Sequence, residues 1–222
     1  MLTLVPTPIG NLQDITLRAL ETLKNTDIIL AEDTRTTGNL LRHYEIDKKL
    51  FAHHQHNEHA SSVEIIRLLK EGVNICMVTD AGTPGISDPG FYLVRECIKN
   101  NIEVECLPGA TAFVPALVVS GFPCDKFVFE GFLPQKKGRH SRLEFLKTET
   151  RTVVFYESPF RLVKALEQFA EVFGAEREVC VVRELSKKFE EKKRGTLAEV
   201  ITHFKSKEVK GEIVIVLRGV DE

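Results

Sequence analysis

Glu32 and Asp33 stand side by side in the run AEDTR, with Arg35 two places further on. A carboxylate held near a hydroxyl can accept its proton in a transition state. Asp33 has an equal reading as the cap of a following helix, paired with Arg35. Glu32 is harder to place as a cap and stands as a candidate base or as plain structure. The run HHQHNEH, residues 53–59, adds four histidines. It has neither the H-E-x-x-H pattern nor a cysteine, so no metal is expected there. His54 or His56 can act as a base near neutral pH, while Asn57 and Glu58 also suit a helix start. In FYESPFR, residues 155–161, Glu157 follows an apolar run. It is either a reacting group or a negative charge ahead of a helix beginning near Pro159.

Such side chains need strands and loops to bring them together. Three loops are built alike, PTPIGN (6–11), TDAGTPGISDPG (79–90) and PGATA (108–112), each after an apolar run. Glycine permits positive φ and close approach to the backbone, and proline fixes φ. Tight turns alone would explain one such loop. Three on one edge of a sheet suggest a pocket for a small molecule. Neither G-x-G-x-x-G nor G-x-x-x-x-G-K-[ST] occurs, which counts against a dinucleotide fold and a phosphate loop of those types.

Apolar periodicity places the elements. Strands are expected at 2–5, 27–32, 73–79 and 103–107, and helices at 16–24, 34–44, 57–70, 91–99 and 111–120. In the third helix Val63, Ile65, Ile66 and Leu69 should face inward. Pro115 should kink the fifth or mark its true start. This alternation predicts a mostly parallel sheet covered on both faces. The turn-rich stretch 121–125 reads as a hinge, giving domains 1–120 and 121–222. The second half predicts strands at 126–133, 152–157, 178–184 and 212–217, helices at 138–147, 159–173 and 197–204, and a mixed sheet.

The 222 residues carry a net charge of −2, with 43% hydrophobic and 28% charged residues. That is an ordinary soluble composition and is no coat for nucleic acid over a whole surface. The five cysteines form no C-x-x-C pair and read as reduced thiols of a cytoplasmic protein. No signal peptide or membrane span is expected.

Eight ordered motifs then converge: PTPIGNLQDITLRAL, AEDTR, HQHNE, TDAGTPGISDPG, LPGATA, FYESPFR, RELSKKFEE and RGTLAEV. Together, over essentially the whole chain, they resemble the ribosomal-RNA-methylating branch of the tetrapyrrole-methylase-like superfamily. The resemblance implies two α/β domains with S-adenosylmethionine (SAM) in the cleft between them, usually as a homodimer. It implies 2′-O-methylation of a cytidine ribose in the decoding region of small-subunit ribosomal RNA. By the same match, Pro8, Ala81, Gly82, Thr83, Ile86, Thr111 and Ala112 are cofactor contacts. Tyr156 or Glu157, and Gly195, would add contacts from the second domain. The first loop departs from tetrapyrrole-modifying relatives in holding only Gly10. Many relatives also continue past the position of Glu222; if that tail meets the ribosome, this chain would dock through other surface.

Methyl transfer to a hydroxyl is an in-line displacement, helped by a base or a cation. Glu32, Asp33, His56, Glu157 and Lys188 are the catalytic candidates. Two basic runs, 135–151 and 187–194, suggest RNA phosphate contact through Arg35, Lys136, Lys137, Arg139, Arg142, Lys187, Lys188 and Arg194. A methylase of a small molecule such as a tetrapyrrole, or a non-catalytic ribosome-binding module, are the competing readings.

Overall fold

A computed structural model describes residues 1–221. The chain forms two compact units, Met1–Thr111 and Ala112–Glu222.

The first unit alternates strand and helix: β1 (Leu2–Leu4), α1 (Leu17–Asn25), β2 (Ile28–Ala31), α2 (Thr34–His43), β3 (Lys49–Ala52), α3 (Glu58–Lys70), β4 (Ile75–Val78), α4 (Phe91–Lys99) and β5 (Val104–Cys106). Its sheet has the order β3-β2-β4-β1-β5, with every pair parallel. Strand alternation sends Ile29, Ala31, Cys76 and Val78 to one face, against Leu23 and Leu41. Leu30, Ile75 and Met77 go to the other, against Ile65, Leu69 and Leu93. All five loops at the strand C-termini therefore share one edge.

In α3 the expected inward Val63 is 75% exposed. Ile65 and Leu69 are buried as expected, and Ser62 joins them in place of Val63, because the hydroxyl of Ser62 is satisfied by the Glu58 carbonyl at 2.5 Å and so tolerates burial. Strand β3 has no counterpart in the apolar pattern. It is an edge strand whose residues are exposed or half-buried, so burial leaves no mark on its sequence.

The second unit holds α5 (Phe113–Ser120), β6 (Phe127–Phe132), α6 (Arg139–Leu146), β7 (Thr152–Glu157), α7 (Leu162–Phe173), β8 (Glu178–Arg183), β9 (Glu191–Thr196), α8 (Leu197–Lys205) and β10 (Ile213–Leu217). Its sheet runs β6-β7-β10-β8-β9, with β6 and β7 parallel and the other pairs antiparallel. One face packs Val153, Phe155, Val181 and Ile215 against Leu143, Leu166, Phe169 and Phe204. The other packs Val154, Cys180 and Val216 against Ala116 and Leu117 of α5. Helix α5 thus belongs to the second unit, whereas a boundary drawn at the turn after it had set it in the first. It covers a sheet face that would otherwise be bare. Pro115 lies in its first turn, where no helical hydrogen bond is lost. Strand β9, EKKRGT, is a charged edge strand that reads in sequence as a solvated charge run.

Among the described residues, no helix is long and apolar enough to cross a membrane. Cys76, Cys97 and Cys180 are buried thiols, and Cys106 and Cys124 are exposed.

Candidate active site

The C-terminal edge of the first sheet is knitted together by its loops. Thr7 and Gly82 exchange backbone hydrogen bonds, each at 2.9 Å. The Thr7 hydroxyl donates to the Thr79 carbonyl at 3.0 Å, and the Thr83 hydroxyl to the Ala110 carbonyl at 3.0 Å. Gly109 lies so close to Pro6 that an added Cβ would stand 2.6 Å from the proline Cβ. The three glycine-proline loops are therefore one tied structure. Gly82 sits at φ +87°, a conformation that side chains resist. The long loop folds back through Gly85 N–H to the Pro89 carbonyl at 3.0 Å.

Beside this frame is a cavity of about 250 Å³, lined by Thr7, Pro8, Thr37, Leu40, Thr79 and Asp80 among others. The Thr79 hydroxyl is buried and has no hydrogen-bond partner among the described residues.

Carboxylates gather at the same edge. The parallel register pairs Ala31 with Val78, so the residues that follow each strand meet. The Asp80 amide donates to Oε2 of Glu32 at 3.4 Å, and the Asp33 amide donates to Oδ1 of Asp80 at 3.3 Å. Burial raises the Glu32 pKa above its ordinary 4.5, and the Asp80 charge pushes it the same way. Burial also raises the pKa of Asp80. Asp33 behaves differently. It caps α2 by accepting from the Arg35 amide at 2.8 Å and pairs with the Arg35 guanidinium at 2.7 Å. Those contacts hold its pKa at about 2. The Asp33 carboxyl is thus held low while that of its neighbour Glu32 is raised.

The histidine run divides in the same way. His53 is buried, its Nδ1 lies 2.9 Å from the Ser61 hydroxyl, and burial lowers its pKa to about 4. His54 is half-buried and near enough to Glu32 for its positive form to favour the carboxylate. Asn57 holds the turn by accepting from the His54 amide at 2.8 Å. His56 is exposed, its ring centroid 5.9 Å from that of His54. Among the described residues, no group of three His, Cys, Asp or Glu side chains could hold a metal ion.

In the first unit Ala81, Thr83 and Thr111 are half-buried and Ile86 is exposed. In the second, Ala112 and Tyr156 are half-buried, and Tyr156 packs edge-on to Phe129 and Phe132. Gly195 has a local reason to be glycine: a Cβ would stand 2.4 Å from the carboxylate of Glu199, which closes the capping box of α8. Glu157 is buried at the end of β7. It accepts from Arg161 and the Ser158 amide, both at 2.8 Å, and from Arg139 at 3.3 Å.

The cations expected at an RNA surface differ in what they are free to do. Lys136, Lys137 and Lys188 are exposed, with no ion pair among the described residues, and Lys188 stands 5.6 Å from the Phe189 ring centroid. Lys187 is paired with Glu184 and Glu212, at 3.0 and 3.1 Å. Arg142 is paired with Glu130, and Arg194 is bonded to the carbonyls of Val119 and Ser120. Arg139, expected at the RNA surface, is instead buried. It is 7% exposed, with its guanidinium on Gln168, the Pro134 carbonyl and Glu157.

Asp80, Thr79 and Thr7 were not singled out from the sequence as individual groups. The available signal was that apolar strands β2 and β4 are each followed by carboxylates within two residues. It becomes informative only once the two strands are known to be neighbours.

A family model described as Tetrapyrrole (Corrin/Porphyrin) Methylases matches residues 1–201. The Ribosomal RNA small subunit methyltransferase I of Thermotoga maritima is 50% identical over 218 residues, 98% of each chain. The protein of the same name from Escherichia coli O157:H7 is 48% identical over 98% of this chain and 77% of its own. Two solved structures share the fold at low identity. Cobalt precorrin-4 methyltransferase has a TM-score of 0.70 at 16% identity, covering 98% of this chain and 94% of its own. Diphthine synthase has a TM-score of 0.74 at 12% identity, covering 98% and 89%.

Proposed function

The chain belongs to the tetrapyrrole (corrin/porphyrin) methylase family, and we propose that it uses SAM to methylate a cytidine ribose 2′-oxygen in the decoding region of small-subunit ribosomal RNA. The observation that carries this reading is the 50% identity to the Thermotoga maritima relative, over 98% of both chains. The cytidine and the 2′-oxygen come from the motif resemblance. The small-molecule reading has the family description and likeness in fold, at 16–19% identity, behind it, well below the identity of the ribosomal RNA enzymes.

The first unit suits the cofactor. Gly82 holds φ +87° and is hydrogen-bonded to Thr7, which lines the same cavity as Pro8 and the buried Thr79. Pro8, Ala81, Gly82, Thr83, Ile86, Thr111 and Ala112 are the proposed contacts, with Tyr156 and Gly195 as further ones. Bound SAM supplies an electrophilic methyl group on a sulfonium.

Glu32 is the proposed base. Its carboxylate is half-buried, its pKa is raised, and Asp80 and His54 adjust its charge. A base of this kind is worth about 10²–10⁴ in rate. Asp33, held anionic by Arg35, fixes the start of α2 and keeps negative charge beside it. His56 and Lys188 remain candidates for the reaction, and Lys188 is also a proposed contact to RNA phosphate. A homodimer in the cytoplasm belongs to the same proposal.

The test is to incubate the protein with methyl-labelled SAM and small ribosomal subunits that lack the modification, then map the label. Label on one cytidine ribose is the expected outcome. Absence of label, with SAM still bound, would overturn the substrate assignment.

A further inference from the structure

Phe160 is 94% exposed and Phe189 is 65% exposed. Single exposed aromatics are commonplace. These two differ in where they stand and how firmly they are held.

Strands β6, β7 and β8 all end on one edge of the second sheet. The register shows it: Phe132 pairs with Tyr156 across β6 and β7, and Ile213 of β10 pairs with both Glu157 and Arg183. The loop after β6 carries Lys136 and Lys137. The loop after β7 carries Phe160, and the loop after β8 carries Lys188 and Phe189. Since β7 and β8 flank β10, their ends stand roughly 10 Å apart by ordinary strand spacing.

Each aromatic rides on a clamped backbone. Around Phe160, Glu157 accepts from the Ser158 amide and from Arg161, both at 2.8 Å, and the Arg161 amide donates to the Ser158 carbonyl at 3.0 Å. Around Phe189, Arg183 donates to its carbonyl at 3.0 Å, and Glu190 closes the turn onto the Ser186 amide at 2.6 Å. Glu184 and Ser186 hold positive φ in that loop. The rings are thus presented to solvent by rigid turns, which lowers the ordering cost of binding. The exposed Lys136, Lys137 and Lys188, without an ion pair among the described residues, add positive charge on the same edge, Lys188 lying 5.6 Å from the Phe189 ring centroid.

We propose that this edge is a stacking platform for single-stranded RNA, with Phe160 and Phe189 each taking the face of an unpaired base and the three lysines taking phosphates. Aromatic faces beside unpaired lysines are the chemistry that holds splayed nucleotides. The proposal deepens the RNA reading above and rests on it.

The test uses the full chain, a single-stranded RNA fragment carrying 2-aminopurine, and assembled small subunits. Phe160→Ala and Phe189→Ala should each weaken RNA binding by at least about fivefold, with SAM binding and melting temperature unchanged. Phe160→Trp and Phe189→Trp should retain it. Aminopurine quenching should fall in the alanine variants. Wild-type protein that binds RNA while the alanine variants bind equally well would overturn the platform and leave the RNA reading standing. Wild-type protein that binds neither fragment nor subunit would overturn both. Alanine variants that lose only the assembled subunit, with the fragment bound as before, would assign the edge to a ribosomal protein and overturn stacking.

Discussion

The backbone amide of Asp80 donates to the carboxylate of Glu32 at 3.4 Å, joining the ends of two adjacent parallel strands. The amide stabilises the ionised form of Glu32, whereas burial and the Asp80 carboxylate oppose it, and burial is the larger effect. The pair therefore reads as a tuned carboxyl, and its consequences are measurable.

Glu32→Gln should cut methyl transfer by about 10²–10⁴ while leaving SAM affinity intact. The same change should raise the melting temperature at pH 7. The folded pKa of Glu32 lies above its ordinary 4.5, so ionisation costs stability as pH rises through it. Below pH 4.5 the gain should disappear. Parallel rate assays and thermal melts check both halves, and an active Gln variant would remove Glu32 from the role of base.

Asp80→Asn deletes a negative charge that raises the Glu32 pKa. The acid limb of the pH–rate profile should therefore move to lower pH. A pH titration of single-turnover rate decides it: an unmoved limb would mean that a different group titrates.

His53 is buried with its pKa lowered to about 4 from 6.5. Between those values the unfolded chain binds the proton and the folded one does not, so stability falls as pH drops. His53→Gln should flatten this loss between pH 6.5 and 4. Denaturant melts across that range would reveal it, and equal slopes for both proteins would count against the burial argument.

Gly109→Ala and Gly82→Ala should fail for different reasons. At Gly109 the new Cβ meets the Pro6 ring at 2.6 Å, forcing two loops apart at about 1–3 kcal/mol. At Gly82 the nearest atoms are an ordinary 3.7 Å away, and the cost comes from φ +87°, about 1–2 kcal/mol. Both should weaken SAM binding. Calorimetry on the two variants gives affinity and stability together.

Glu157→Ala leaves the buried Arg139 guanidinium without its carboxylate. Removing one partner of a buried pair costs about 3–5 kcal/mol. The expected signature is a marked drop in melting temperature. An unchanged melt with lost activity would assign Glu157 to the reaction instead of the framework.

Much of the fold is legible in the amino-acid sequence. Residues 91–99 and 152–157 match their element bounds as expected, because apolar spacing is a local record of burial. That record fails at β3 and β9, edge strands with little to bury. It also misleads at Val63, where Ser62 satisfies its hydroxyl on its own helix and takes the inward place.

The candidate site divides along the same line. Glycine-proline loops show directly in the residues, since positive φ at Gly82 and the close approach at Gly109 are demands on single positions. Which charges meet is not local. Asp80 joins Glu32, 48 residues away in the sequence, because β4 lies beside β2. Arg139 looks like one more cation in a basic run, yet Glu157, 18 residues away, draws it into the interior. By itself the sequence determined the strands, the helices and the stiff loops, because backbone conformation and burial periodicity are written residue by residue. Only the tertiary structure decided which carboxyl has a raised pKa, which one caps a helix and which cations stay exposed, because charge and desolvation depend on neighbours that the fold alone brings within a few ångströms.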